Sequence, residues 1–241
     1  MVDIIEILGR SEQGVTRPYK CRGEDDQIYF VKGIGAGRSS QVYEYVAGSL
    51  GRILGLPIAP FGIIHVPEEL VLGNSDYSDL GYGPVFGSVR QLITELNYAG
   101  IEHVPYDLQA AVLAFDWWIK NEDRLLTESG GNPNLFWEPG EEKLVIIDHN
   151  QAFDPTFDPE NFKENHVFSC QVNNVFGDAV FQEEQIARFK SALGALESTL
   201  NELPEEWSYL DVEMTIKANF SKEDIINILE RCNNDGFWVE S

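Results

Sequence analysis

The hydrophobic period of this chain changes once, and that change limits how it can fold. Up to about residue 94, short apolar runs at 4–8, 17–21, 28–31, 60–66 and 88–93 read as strands, forming a twisted antiparallel sheet. Gly23-Glu24-Asp25-Asp26 supplies the turn between two of them, and the Gly-, Asp-, Ser- and Tyr-rich stretch after residue 66 reads as a loop. One helix interrupts the series at 39–54. There Val42, Tyr45, Val46, Leu50, Ile53 and Leu54 keep helical spacing, and Gly55 and Pro57 provide the stop. From Tyr106 the pattern is different. Residues 106–120 are apolar on nearly every face, as in a centrally buried helix, and Pro105 suits its first turn. A hairpin-like stretch at 134–148 follows, then a polar stretch at 154–178 without a helical apolar stripe, read as mobile, then helices near 183–200 and 222–232. The expectation is an α+β chain of two lobes: a β-rich N-terminal lobe with one helix (1–93) and a mainly helical C-terminal lobe (94–241).

At 241 residues and 43% hydrophobic, the chain has enough apolar surface for one good core or two small ones. The most apolar stretch, 110–119, is too short for a membrane span and carries Asp116. MVDIIEILGR has acids where an export signal has bases, and Cys21, Cys170 and Cys232 are scattered and odd in number, so a cytoplasmic location is expected. Seventeen basic against forty acidic residues give a formal charge of −23, which disfavours nucleic acid and anionic membranes unless bases concentrate locally. They do not: Lys20, Arg22 and Lys32 are the densest group, and Glu24, Asp25 and Asp26 adjoin them. Most of the negative charge reads as solvated surface.

Three residues carry the chemistry of the second part. Asp123 closes the apolar helix-like run, Asn134 opens the short apolar piece 135–137, and Asp148 ends the strand-like run 144–147. An acid just after a buried strand sits at the strand's open end, where a hard cation and phosphates can approach. A carboxylate such as Asp123 can serve as a general base toward a hydroxyl. Each has a bland alternative: Asp123 as a helix-terminal acid paired with Arg124, Asp148 as a turn acid before His149-Asn150, and Asn132-Pro133-Asn134 as a turn. Asn134 is preferred over Asn132 as a ligand because it directly precedes the apolar strand residues.

In the first part, Lys32 ends a strand and Glu44 lies in the next helix, off its apolar stripe, on a face with Ala47, Gly48 and Gly51. A lysine so placed can grip phosphates if a helix carboxylate orients it; the small residues would then allow close approach, or the face is simply wet. The segment 9–16 is the expected nucleotide-covering loop, with Gly14 and Thr16, joined by Gln91, as further nucleotide contacts; an ordinary hairpin loop reads equally well. Gly33, Gly35 and Gly37 follow the lysine and read as a flexible link. His166 and Cys170 lack the second ligand pair of a zinc site, and no Gly-x-Ser-x-Gly elbow is present. Trp117 and Trp118 are expected to pack between the lobes.

An acid after a helix, an amide at a strand start and an acid after a strand resemble the phosphotransfer site of kinase-fold enzymes. The chain as a whole resembles the HipA-like kinases, and more distantly phosphoinositide-kinase-like enzymes, over about residues 9–153. The resemblance rests on VKG (Lys32), YEYVAGSLGRILGLP (Glu44), NEDR (Asp123), GNPNLFW (Asn134) and IIDHNQAF (Asp148). It implies a bilobal protein-kinase-like fold, ATP and magnesium as cofactors, and transfer of the γ-phosphate to a hydroxyl, often of a protein serine or threonine. It also implies roles: Lys32 contacts phosphate, Glu44 holds Lys32, Asp123 is the base, and Asn134 and Asp148 bind the metal.

The chain departs from the family in three places. Asn134 follows Asp123 by eleven residues, more than in HipA toxins, which makes 125–131 an insertion and this a divergent branch. Tyr43 stands where an Asn often precedes the helix glutamate. The chain is expected to be short of the N-terminal subdomain through which HipA toxins engage a DNA-binding antitoxin; an antitoxin-like partner stays open but has no support from the sequence, and the kinase chemistry is better supported than a toxin role. The alternatives are a small-molecule phosphotransferase, which needs a closed acidic pocket, and a nucleotide-binding regulator without catalysis, for which Asp123 would have no use. A peptide acceptor instead needs an ordered 154–178 segment.

Overall fold

A computed structural model describes residues 1–11, 17–138, 140–211 and 213–239. The chain forms two compact units, each discontinuous in sequence. Met1–Tyr45, Ala59–Leu92 and Glu202–Phe220 make the first; Val46–Ile58, Ile93–Asn201 and the residues from Ser221 onward make the second. The fold is mixed α and β, as expected.

Five strands close into a barrel in the first unit: β1 (Val2–Arg10), β2 (Tyr19–Gly23), β3 (Ile28–Lys32), β4 (Phe61–Val66) and β5 (Gly83–Val89), in the order β1-β2-β3-β5-β4. The pairs β1/β2, β2/β3, β3/β5 and β4/β5 are antiparallel. The barrel closes through β1 on β4, which run parallel, with Val2 opposite Ile64 and Asp3 opposite His65. This corrects the expectation of a wholly antiparallel sheet. Register shifts in β1 between Ile4 and Glu6 and between Ile7 and Gly9 bend the strand, as bulges do, so that its first residues serve a second neighbour. Alternation does the rest: β2 sends Tyr19 and Cys21 inward and β3 sends Tyr29 and Val31, where they meet Ile4, Ile64, Val66 and Val85.

Two core residues, Val71 and Leu80, come from the stretch read as a loop. It folds into 3-10 turns at Glu68–Leu70 and Ser75–Tyr77 and docks by its backbone: Ile34 N–H donates to Leu80 O at 3.1 Å and Gly35 N–H to Asp79 O at 2.7 Å. The glycines after Lys32 are therefore held, not a loose link. A Cβ on Gly33 would lie 2.3 Å from Leu80 O, so only glycine admits this approach. The strand expected at 88–93 begins earlier, at Gly83, because two glycines hide its apolar pattern from the sequence.

Helix α1 (Arg38–Ile53) runs from the first unit into the second. The second unit continues with β6 (Thr94–Glu95), α2 (Tyr106–Trp118), the hairpin β7 (Leu125–Thr127) and β8 (Gly130–Asn132), and strands β9 (Leu135–Glu138) and β10 (Lys143–Ile146). The last two pair with β6 in the order β10-β9-β6. Then follow α3 (Pro159–Asn165), α4 (Val172–Gly177), α5 (Ala179–Leu193), α6 (Leu196–Asn201) and α7 (Lys222–Glu230).

The tryptophans of α2 find partners within this unit. Trp118 stacks on Phe189 of α5 at 4.5 Å and donates its Nε1–H to Leu229 O of α7; Trp117 donates to Phe237 O. The expectation that these tryptophans pack between lobes is thereby corrected: each has an apolar body for the core and an indole N–H that a C-terminal carbonyl satisfies. A second correction concerns 154–178. It folds into α3 and α4 and buries Phe157, Phe162, Val167, Phe168 and Val175. Asp158 caps α3, accepting from Glu160 N–H and Asn161 N–H, and Pro159 takes the first turn.

Candidate active site

The second unit gathers Asp123, Asn134 and Asp148 at the ends of three elements. After α2, Lys120 turns the chain with φ +51°, and Asn121 N–H closes the turn on Asp116 O at 2.9 Å. The turn leads to Asp123, half-buried in the loop before β7. Asn134 opens β9 with φ +51°, and Asp148 follows β10 with φ +55°. Asparagine and aspartate tolerate this left-handed region better than other residues with a side chain, which is one reason they stand at these two turns. Ile147 N–H donates to Asn134 O at 3.0 Å, tying the backbones that carry them.

Asn134, only 5% exposed, donates its Nδ2–H to Asp123 O at 3.3 Å and to Asp123 Oδ2 at 3.2 Å. The amide is thus oriented with Oδ1 turned away from Asp123. Asn132 is exposed on the hairpin, paired with Leu125. Of the two asparagines, the structure brings Asn134 to Asp123. The donor set of one amide oxygen and one carboxylate suits magnesium, which takes few protein oxygens and completes its shell with water and phosphate. Among the described residues no cluster of three or more His, Cys, Asp or Glu side chains is shaped to cage a metal.

Beneath these residues lies a buried polar cluster that the sequence reading missed. Arg124 and Asp116 are both fully buried; Arg124 Nε donates to Asp116 Oδ2 at 2.7 Å and Nη2 to Oδ1 at 3.4 Å. Arg124 Nη1 reaches the carbonyls of Pro133 (3.3 Å), Asn134 (3.0 Å) and Ile147 (3.2 Å). Asn121 Nδ2 adds a bond to Asp116 Oδ1, and His166 Nε2 lies 3.0 Å from Asp116 Oδ2. The signal was in the sequence: one acid inside an otherwise apolar helix needs a buried cationic partner.

Burial opposes the charge on Asp116, but Arg124 and then His166 outweigh it and hold the carboxyl far below the usual range. Burial holds His166 below its ordinary value, against the pull of Asp116. Phe168 N–H donates to His166 Nδ1 at 3.1 Å, so Nδ1 is unprotonated, Nε2 carries the proton toward Asp116, and the ring is neutral. The sign of the pH effect follows. A histidine depressed in the folded state contributes stability above its unfolded pKa, about 6.5, and that contribution is lost as pH falls below it. The urea midpoint is expected to drop between pH 7 and pH 5, and His166→Gln should flatten that part of the profile. An equally steep profile in the variant would place the sensitivity elsewhere.

In the first unit, Lys32 Nζ lies 2.5 Å from Glu44 Oε1, with both residues buried. Glu44 is 3% exposed, so its side of α1 is packed and not wet. Gln41, fully buried one turn earlier, donates its Nε2 amide hydrogens to Lys32 O and Gly33 O, both at 2.8 Å, fixing the end of β3 against the helix. Gly51, one of the small residues on that stretch of α1, admits neighbours within the second unit: a Cβ there would meet Ile58 at 2.9 Å and Phe115 at 3.3 Å. Gln91 lies just past β5 and donates Nε2–H to Val89 O at 2.9 Å. Gly14 and Thr16 fall outside the described residues.

A model of the HipA-like kinase family matches residues 4–241. The chain belongs to the HipA-like kinase family. No curated protein matches its sequence. Among solved structures, this HipA-like kinase is similar to a Helicobacter pylori proinflammatory kinase, CtkA, with a TM-score of 0.53 and 11% identity over 97% of this chain and 92% of that one. At that identity the likeness speaks for the fold. Among the described residues, no helix is long and apolar enough to cross a membrane.

Proposed function

We propose that this family member is an ATP- and magnesium-dependent kinase that transfers the γ-phosphate to a hydroxyl, with protein serine or threonine as the acceptor class. The reading is carried above all by the hydrogen bond from Asn134 to Asp123, which sets a candidate base and a candidate metal ligand side by side. Asp123 accepts the proton of the acceptor hydroxyl as the phosphoryl group departs. Asp148 and the Oδ1 of Asn134 hold the metal. Magnesium, when bound, neutralises charge on the phosphate oxygens. Lys32 binds nucleotide phosphate, oriented by Glu44, and Gly14, Thr16 and Gln91 are further nucleotide contacts. Nucleotide binding is assigned to residues 1–93 and catalysis to 94–241. The location is cytoplasmic.

A protein acceptor is favoured over a small molecule by α3 and α4. They give the 154–178 segment the order that a peptide-binding surface requires. Transfer of labelled γ-phosphate with magnesium present tests the activity, and phosphopeptide mapping of a treated lysate identifies the acceptor class. Label found only on small molecules would replace the protein acceptor, and no transfer or hydrolysis at all would leave a nucleotide-binding regulator.

The metal assignment has its own expected result. Asp148→Asn should weaken binding of a non-hydrolysable ATP analogue in magnesium and change it little in EDTA. Asn134→Ala should do the same more mildly, whereas Asn132→Ala should not. Titration calorimetry with and without magnesium checks this, and a harmful Asn132→Ala would move the ligand by two residues.

A further inference from the structure

We infer that Arg124 is a positioning residue: its guanidinium sets the backbone on which both proposed metal ligands stand. The inference rests on the kinase reading above. It begins from the three carbonyls that Nη1 reaches, which belong to Pro133, Asn134 and Ile147. The first precedes Asn134, the second is its own, and the third precedes Asp148. Asn134 and Asp148 both hold left-handed φ angles, +51° and +55°. Asn and Asp tolerate that region better than other residues with a side chain, but it is still less favoured than the right-handed one, so hydrogen bonds to the flanking carbonyls help to hold both turns.

One side chain reaches the backbone at both turns, beside the bonds from Ile147 N–H to Asn134 O and from Asn134 Nδ2 to Asp123. It is fully buried, anchored through Nε and Nη2 on Asp116, and left with Nη1 for the carbonyls. The planar fork of arginine can face a carboxylate on one edge and carbonyls on another at once; a lysine ammonium on a flexible stem cannot span both. Asp116 is anchored in turn by Asn121 and His166. One buried network therefore runs from α2 to the backbone of both ligands.

The test uses Arg124→Lys in the full chain, which keeps a cation beside Asp116 and removes the fork. Mn²⁺ binding in the presence of ADP is read by electron paramagnetic resonance, and ADP binding in EDTA by calorimetry. Outer-shell changes at metal sites typically weaken metal affinity by roughly 10- to 100-fold, and a loss of that size is expected, with metal-free ADP binding unchanged. Wild-type Mn²⁺ affinity in a folded Arg124→Lys variant would overturn the inference and leave Arg124 a structural residue. Should that variant fail to fold, Asp116→Asn/Arg124→Gln removes both buried charges and carries the same comparison. Asp148→Asn separates the two readings. If it keeps wild-type Mn²⁺ affinity, the ligand assignment has failed; if it loses affinity while the Arg124 variants do not, only the positioning role has failed.

Discussion

Asp123→Asn should lower phosphoryl transfer by roughly 10² or more while leaving the affinity for magnesium and ATP near that of the wild type. The substitution is close to isosteric. An amide oxygen at position 123 still accepts from Asn134 Nδ2, which lies 3.2 Å from Oδ2 in the wild type, so the loop keeps its geometry. What is lost is the ability to take a proton. Because the other proposed metal ligand, Asp148, is untouched, nucleotide binding should separate from catalysis. Single-turnover transfer of labelled phosphate measures the first quantity and calorimetry with a non-hydrolysable analogue the second. If Asp123→Asn loses binding as severely as Asp148→Asn, Asp123 is a ligand and the division of roles is wrong.

What the sequence disclosed, and what it hid, follows from the range of the interactions. The ends of α2, β9 and β10 are local events, written in an apolar run broken by Asp or Asn, so Asp123, Asn134 and Asp148 were legible as neighbours in kind. The different settings of Asn134, buried at the strand start, and Asn132, exposed on the hairpin, are also local. The parallel closure of β1 on β4 was not legible, because nothing near Val2 reports its partner Ile64. Nor was the packing of Val71 and Leu80, two apolar residues in a stretch whose composition reads as a loop.

The 154–178 segment shows a third kind of failure. Its helices, seven and six residues long, are too short to display an amphipathic stripe, but Asp158-Pro159 is a good N-terminal signal for the first of them. The role of Arg124 was hidden for a related reason. Sequence adjacency offers Asp123 as its partner only in the bland alternative for that acid, whereas the cost of burying an acid eight positions upstream assigns it to Asp116.

That cost sets the largest expected effect on stability. Arg124→Met leaves the Asp116 carboxylate fully buried without its principal counter-charge, and breaking a buried pair from one side typically costs about 3–5 kcal/mol. Asn121 and His166 still bond to it, but a neutral amide and a neutral imidazole do not replace a guanidinium. The double variant Asp116→Asn/Arg124→Met should recover most of the carboxylate's share, because removing both members of a buried pair leaves no orphaned charge. The pH dependence has a definite sign. With Arg124 in place the Asp116 pKa is depressed, so its contribution is present above the ordinary carboxylate range and is lost only as pH falls through the folded value. Without Arg124 burial dominates and raises that pKa, so acid relieves the variant by protonating Asp116, and the gap from wild type should narrow between pH 7 and pH 5. Urea unfolding of the wild type, both single variants and the double measures the coupling directly. A double variant as unstable as Arg124→Met, with a gap that does not change with pH, would mean that the three carbonyls held by Nη1, and not the charge on Asp116, are what the arginine stabilises.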